Sequence, residues 1–111
     1  PERPDLILLG LGDDGHIASL FPGSPALDEQ TRPVLPGEAP TEPRQRLTIT
    51  PPVLNSARQL LLLVTGSEKA PAVRSALAND GDFRATPARL VREAIWFVDG
   101  PAAADLPPDV A

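Results

Sequence analysis

Residues 5–16 read Asp-Leu-Ile-Leu-Leu-Gly-Leu-Gly-Asp-Asp-Gly-His, and no other segment restricts the fold as much. Leu6–Leu11 carries no charge and has strand length, the pattern of a strand covered on both faces of a parallel sheet. Gly10 and Gly12 turn the chain at its carboxyl end, the rim where open α/β sheets place their ligands. His16, the chain's single histidine, stands just past the turn behind Asp13 and Asp14. An imidazole beside carboxylates changes charge near neutral pH and serves as a proton acceptor.

Two more apolar runs, Leu60–Val64 and Ile95–Val98, have the same length and the same ending, with Gly66 after one and Asp99-Gly100-Pro101 after the other. Between them Ser67 is placed to cap a helix, and Pro71 falls in its first turn, where a proline does least harm. Ala70, Val73 and Leu77 share one helical face, and Asn79-Asp-Gly81 ends the helix. Thr86–Leu90 reads as a short capped turn leading to the next strand. This is a β-α-β unit, whose crossovers are nearly always right-handed. Six prolines between Pro22 and Pro43 leave little room there beyond a short strand around Val34-Leu35. Arg46–Thr50 alternates as a strand, Pro51-Pro52 stop it, and Val53–Ala57 make a short helical turn. The tail allows one turn at Ala102–Leu106 and then frays. The expected class is α/β, a Rossmann-like parallel sheet flanked by helices, with residues 1–111 lying in one domain.

Charge narrows the partners. Ten Lys and Arg against fifteen Asp and Glu give a net charge of −5, which argues against nucleic acid. An anionic small substrate must then be held by local cations. Cysteine is absent, so neither disulfides nor thiolate metal sites form, and one histidine makes a zinc site an unexpected reading. No metal or cofactor is expected. No apolar run approaches the roughly 20 residues that span a bilayer, and no signal peptide is seen. No membrane partner is expected, and a chain without cysteine suits the cytoplasm.

Several chemistries compete for these residues. Gly10-Leu-Gly12-Asp-Asp-Gly15 satisfies G-x-G-x-x-G after a strand, yet Pro22 would cut the following helix short and two aspartates would repel a pyrophosphate. There is no G-x-S-x-G elbow and no phosphate loop of the G-x-x-x-x-G-K-[ST] type. Ser19 lies too close to His16 for an ordinary nucleophile–base pair and is read as bonding the turn or lining a pocket. His16 itself is, on residue type alone, equally a capping side chain or a base. Asp14 either orients the imidazole or caps the turn, and Asp13 reads as a solvated charge. Lys69 sits where a helix dipole disfavours a cation, which a bound anion would reverse, although Glu68 offsets the dipole as well. Arg46 is a second anion contact or a solvated strand-end charge. Phe21 and Trp96 read as core.

Asp5 to Gly23, with Asp14-Gly-His16 followed by Ala18-Ser-Leu-Phe-Pro-Gly23, resembles the 6-phosphogluconolactonase family. Arg46-Leu-Thr-Ile-Thr50 with Asn55, Val64-Thr-Gly-x-x-Lys-Ala70, and Trp96-Phe-Val-Asp99 with Ala103-Ala104 extend the resemblance along nearly the whole chain. Glucosamine-6-phosphate deaminase shares the Asp-Gly-His turn and the Gly-x-x-Lys-Ala segment, but typically reads Ala-Phe-Asn-Glu-Pro where this chain has Ala18-Ser-Leu-Phe-Pro. The resemblance implies hydrolysis of 6-phospho-D-glucono-1,5-lactone to 6-phospho-D-gluconate, the second step of the oxidative pentose phosphate pathway, without a metal. It implies His16 as the base that activates water, Asp14 as its holder, and Lys69 with Arg46 as the phosphate contacts. Backbone amides of the Gly12–Gly15 turn become candidate donors to an oxyanion, and Ser19 a candidate lining residue. A deaminase-like isomerase and a non-catalytic sugar-phosphate-binding regulatory domain are the alternatives. The resemblance further implies that this chain is the carboxyl-terminal portion of a larger three-layer domain. The amino-terminal half, which carries a Ser-Gly-Gly-Ser/Thr phosphate turn in the family, would be its partner. Residues 1–111 alone are then expected to have an open sheet edge and little or no activity.

Overall fold

The three apolar runs form strands and find one another. A computed structural model describes residues 3–107, in which β1 (Ile7–Leu9), β4 (Leu60–Val64) and β5 (Ile95–Val98) make a parallel sheet in the order β1-β4-β5. Between β1 and β4 lie β2 (Val34–Glu38), β3 (Gln45–Ile49) and the short helix α1 (Pro51–Ser56), and α2 (Ala70–Leu77) follows β4. β4 and β5 have the expected bounds. β1 is shorter than Leu6–Leu11, because its pairing runs only from Ile7 opposite Leu60 to Leu9 opposite Leu62 before the chain leaves for the turn.

Alternation along the strands separates two faces. Leu9, Leu62 and Val64 point into a core shared with Val73, Ala76, Ala88 and Val91 from α2 and the 3-10 turn Pro87–Val91. Leu62 is fully buried, and removing a leucine of this kind from water is worth about 1.5–3 kcal/mol. The opposite face carries Leu8, Leu63 and Phe97, which are 62%, 58% and 54% exposed. Among the described residues, then, the sheet is covered on one face only. β1 and β5 each pair with β4 alone, so both edges are open there as well.

α2 departs from expectation at its start. Ser67 does not cap it with its side chain. Gly66, at φ 100°, takes the turn, and Ser67–Lys69 form a 3-10 turn that runs directly into α2. Pro71 does fall in the first turn. At the other end Arg89 donates to the carbonyls of Ser75 and Ala78 at 2.8 and 2.9 Å, closing helix-end acceptors that would otherwise lack partners.

The proline-rich segment is more ordered than its composition predicts. Ser24 Oγ accepts the Ala26 amide and opens a 3-10 turn at Pro25–Asp28. β2 continues past Pro36 to Glu38 and pairs antiparallel with β3. Proline is tolerated there because this is a two-stranded ribbon in which each strand has an edge that requires no donor. β3 ends one residue earlier than expected, and α1 begins on Pro51 itself, since a first-turn proline needs no amide hydrogen. Residues 102–106 form successive turns, with Ala102 buried. The end of the tail, expected to fray, falls largely outside the described residues.

Candidate active site

Gly12 and Gly15 make the turn after β1 possible. Gly15 has φ 87°, and a methyl on it would stand 2.9 Å from Thr86 Cγ2. A methyl on Gly12 would lie 2.1 Å from His16 Nδ1, so the imidazole packs directly over that glycine. The Gly12 amide donates to the His16 carbonyl and the Gly15 amide to the Gly12 carbonyl, both at 2.9 Å. Both amides are engaged within the turn, and what the glycines supply is room for the ring and the turn's conformation.

Beyond His16 the chain does not become a helix. Ile17 and Leu20 are fully buried and close a tight turn, with the Leu20 amide donating to the Ile17 carbonyl, while Ala18 takes φ 51°. A left-handed alanine is a strained conformation that neighbouring packing must hold, and Ala18 lines the cleft beside His16. The absence of a long helix after this turn removes the geometry that a dinucleotide pyrophosphate requires.

Asp14 fixes the imidazole. His16 Nδ1 and Asp14 Oδ1 are 2.6 Å apart, and the same oxygen accepts the His16 amide at 3.0 Å. Partial burial pushes the Asp14 carboxyl up, but the hydrogen bonds from the His16 ring and amide, together with the ring's charge, outweigh it and hold the group below its ordinary value of 3.8. With Nδ1 engaged by a carboxylate, Nε2 is the nitrogen left for a ligand. Phe21, read from sequence as core, is buried and also stands beside the imidazole. Its ring centroid lies 4.4 Å from that of His16 at a 40° tilt.

His16 and Lys69 line one cleft of about 420 Å³ with Gly10, Gly12 and Ala18. Its size falls within the roughly 300–1,000 Å³ of small-molecule sites. Lys69 is carried there by the loop after β4, and Asp99 at the end of β5 steadies that loop. Asp99 accepts the Gly66 amide at 3.2 Å and the Ala102 amide at 2.9 Å. Asp13, expected to be a solvated charge, instead pairs with Lys69, Oδ1 to Nζ at 2.8 Å.

Arg46 and Ser19 are not in this cleft. Arg46 lies across Phe21, its guanidinium carbon 5.9 Å from the ring centroid and its Nε donating to the Pro43 carbonyl at 2.6 Å. It lines a separate, larger cavity of about 1490 Å³ between the proline-rich segment and the β2–β3 ribbon, which also touches Asp14 and Phe21. Ser19 donates its amide to Thr48 Oγ1 at 3.1 Å, tying the His16 turn to β3. Asp13, Phe21 and Asp99 are the residues that sequence reasoning left without a role. Asp99 alone carried a local signal, an acid directly after a strand at the ligand rim.

An imidazole held by a carboxylate and an ammonium group thus share one strand-end rim of a Rossmann-like α/β sheet, the rim where such folds take their ligands. The family model described as glucosamine-6-phosphate isomerases/6-phosphogluconolactonase matches residues 1–97, and the chain belongs to that family. It is 45% identical over 107 residues to the 6-phosphogluconolactonase of a Synechocystis strain, covering 94% of this chain and 44% of that protein. The solved structure of the Trypanosoma brucei 6-phosphogluconolactonase superposes with a TM-score of 0.81 at 37% identity, over 93% of this chain and 42% of that one. A monomeric glucosamine-6-phosphate deaminase superposes at 0.72 with 26% identity, over 91% of this chain and 47% of that one. The chain therefore spans less than half the length of these relatives. Among the described residues no helix is long and apolar enough to cross a membrane.

Proposed function

We propose that the protein hydrolyses 6-phospho-D-glucono-1,5-lactone to 6-phospho-D-gluconate, with His16 as the base that activates water. The observation that carries this reading is His16, held by Asp14, lining the same cleft as Lys69. Nε2 takes a proton from water as its oxygen bonds to the lactone carbonyl carbon. The tetrahedral intermediate then collapses, the bond from that carbon to the ring oxygen breaks, and the ring oxygen takes the proton from the imidazolium. Asp14 holds the ring and favours the charged form between these steps. Lys69 holds the phosphate and thereby sets the lactone against His16. The chain's likeness to lactonases of 37–45% identity supports this chemistry over deamination, as does Ala18-Ser-Leu-Phe-Pro-Gly23.

The remainder of the site belongs, on this reading, to the amino-terminal half of the same domain. Parallel sheets bury both faces, and Leu8, Leu63 and Phe97 present an apolar face that needs a cover. The deciding experiment is lactone hydrolysis by the intact protein and its His16→Ala variant, corrected for spontaneous opening of the lactone. An unchanged rate in the variant removes His16 as the base. Release of ammonia from glucosamine 6-phosphate in place of lactone hydrolysis would assign the chain to the deaminase chemistry.

A further inference from the structure

Lys69 is already occupied. Its ammonium has Asp13 as its one ionic partner among the described residues, and the two side chains differ in exposure, 25% for Lys69 and 66% for Asp13. The lysine is thus set against the cleft wall while the aspartate approaches it from solvent. We propose that Asp13 is a displaceable counter-ion for Lys69, an internal competitor that every anion must displace to reach the lysine. The inference rests on the reading of Lys69 as the phosphate-holding group.

The competition follows from charge. An ion pair this open to water is weak and easily separated. A singly charged ligand offers Lys69 no more than the carboxylate it must displace, and it loses translational freedom that the tethered carboxylate does not. A phosphate dianion brings twice the charge and wins the exchange. Asp13 cannot then leave the neighbourhood, because the next residue, Asp14, is bonded to His16. Its charge continues to oppose any anion at Lys69 after the exchange.

The test is calorimetric titration of the intact protein with inorganic phosphate at about pH 8, where the dianion predominates. Asp13→Asn, which keeps the shape and removes the charge, is expected to bind phosphate about three- to tenfold more tightly than the wild type. That gain shrinks as sodium chloride is added, since the pair is exposed. Asp13→Glu, which keeps the charge, stays near wild type. Formate, a singly charged probe, gains less than phosphate from Asp13→Asn, because the repulsion that is removed scales with the charge of the anion. Phosphate binding that is unchanged or weaker in Asp13→Asn overturns the proposal, as does a gain that persists in a Lys69→Ala background. Lactone hydrolysis by the same samples reports separately on the enzymatic reading. Tightening without hydrolysis keeps the counter-ion and removes the lactonase, and hydrolysis without tightening does the reverse.

Discussion

His16 and Asp14 meet through Nδ1 and Oδ1 at 2.6 Å, two residues apart on a turn that has no helix behind it. The geometry depends on Gly12, over which the ring lies, and on Ile17, whose burial fixes the chain just beyond the histidine.

Replacing His16 with Ala removes the proposed base while leaving the strand and its turn bonds in place. The enzyme-dependent rate of lactone hydrolysis in the intact protein is expected to fall by about 10²–10⁴. Phosphate binding, measured by titration, should change far less.

Asp14 supplies the pH dependence. Its folded pKa lies below the ordinary 3.8, so the stabilisation from its bonds with His16 is fully present above 3.8. It is lost as the pH falls through the lowered folded value. A carboxyl NMR titration should place the Asp14 midpoint below 3.8 and move it upward in His16→Ala. Asp14→Asn should lower the hydrolysis rate by about ten- to a hundredfold, because the ring loses the partner that favours its charged form.

Gly12→Ala is the sharpest steric test. The added methyl would fall 2.1 Å from His16 Nδ1 and 2.8 Å from Asp14 Oδ1, so the imidazole must leave its position. Activity is expected to drop by at least about tenfold, the consequence of a misplaced base. Gly100→Ala, whose methyl meets nothing within 4 Å, serves as the comparison for melting temperature and rate.

Asp99→Ala should act on binding rather than on proton transfer. It frees the Gly66 and Ala102 amides and loosens the loop that carries Lys69. The Michaelis constant for the lactone is expected to rise about three- to tenfold, in line with a loss of about 1 kcal/mol from such bonds. The pH profile of the rate should not move.

The uncovered sheet face predicts the behaviour of residues 1–111 made alone. Leu8, Leu63 and Phe97 should bind a hydrophobic dye and drive concentration-dependent association, seen by light scattering. Lactone turnover should be little or absent. Full turnover by this piece would show that the proposed second half adds nothing to the site.

Those elements whose pattern is local were legible from sequence. β4 and β5 lie where apolar runs followed by turn residues placed them, and the Gly-rich turn does present His16 at a strand end. The β2–β3 ribbon was half hidden, because Pro36 breaks the alternation that marks a strand, and its pairing depends on distant β3. Phe21 was legible as buried but not as a neighbour of His16, since residue type says nothing about which face a ring presents. Asp13 was misread for a related reason. Its partner, Lys69, arrives from the far side of the ribbon and a second strand, a meeting that only the parallel pairing of β1 with β4 creates.

One bond has a consequence for the order in which this molecule is built. Asp99 is the residue that pins Gly66, and it follows β5, the last strand among the described residues. Lys69 leaves the ribosome well before Asp99 does, so its loop must wait unpinned until β5 docks on β4. Damage to β5, across β4 from the strand that leads to the imidazole, would therefore be felt first as a failure to grip the proposed anion.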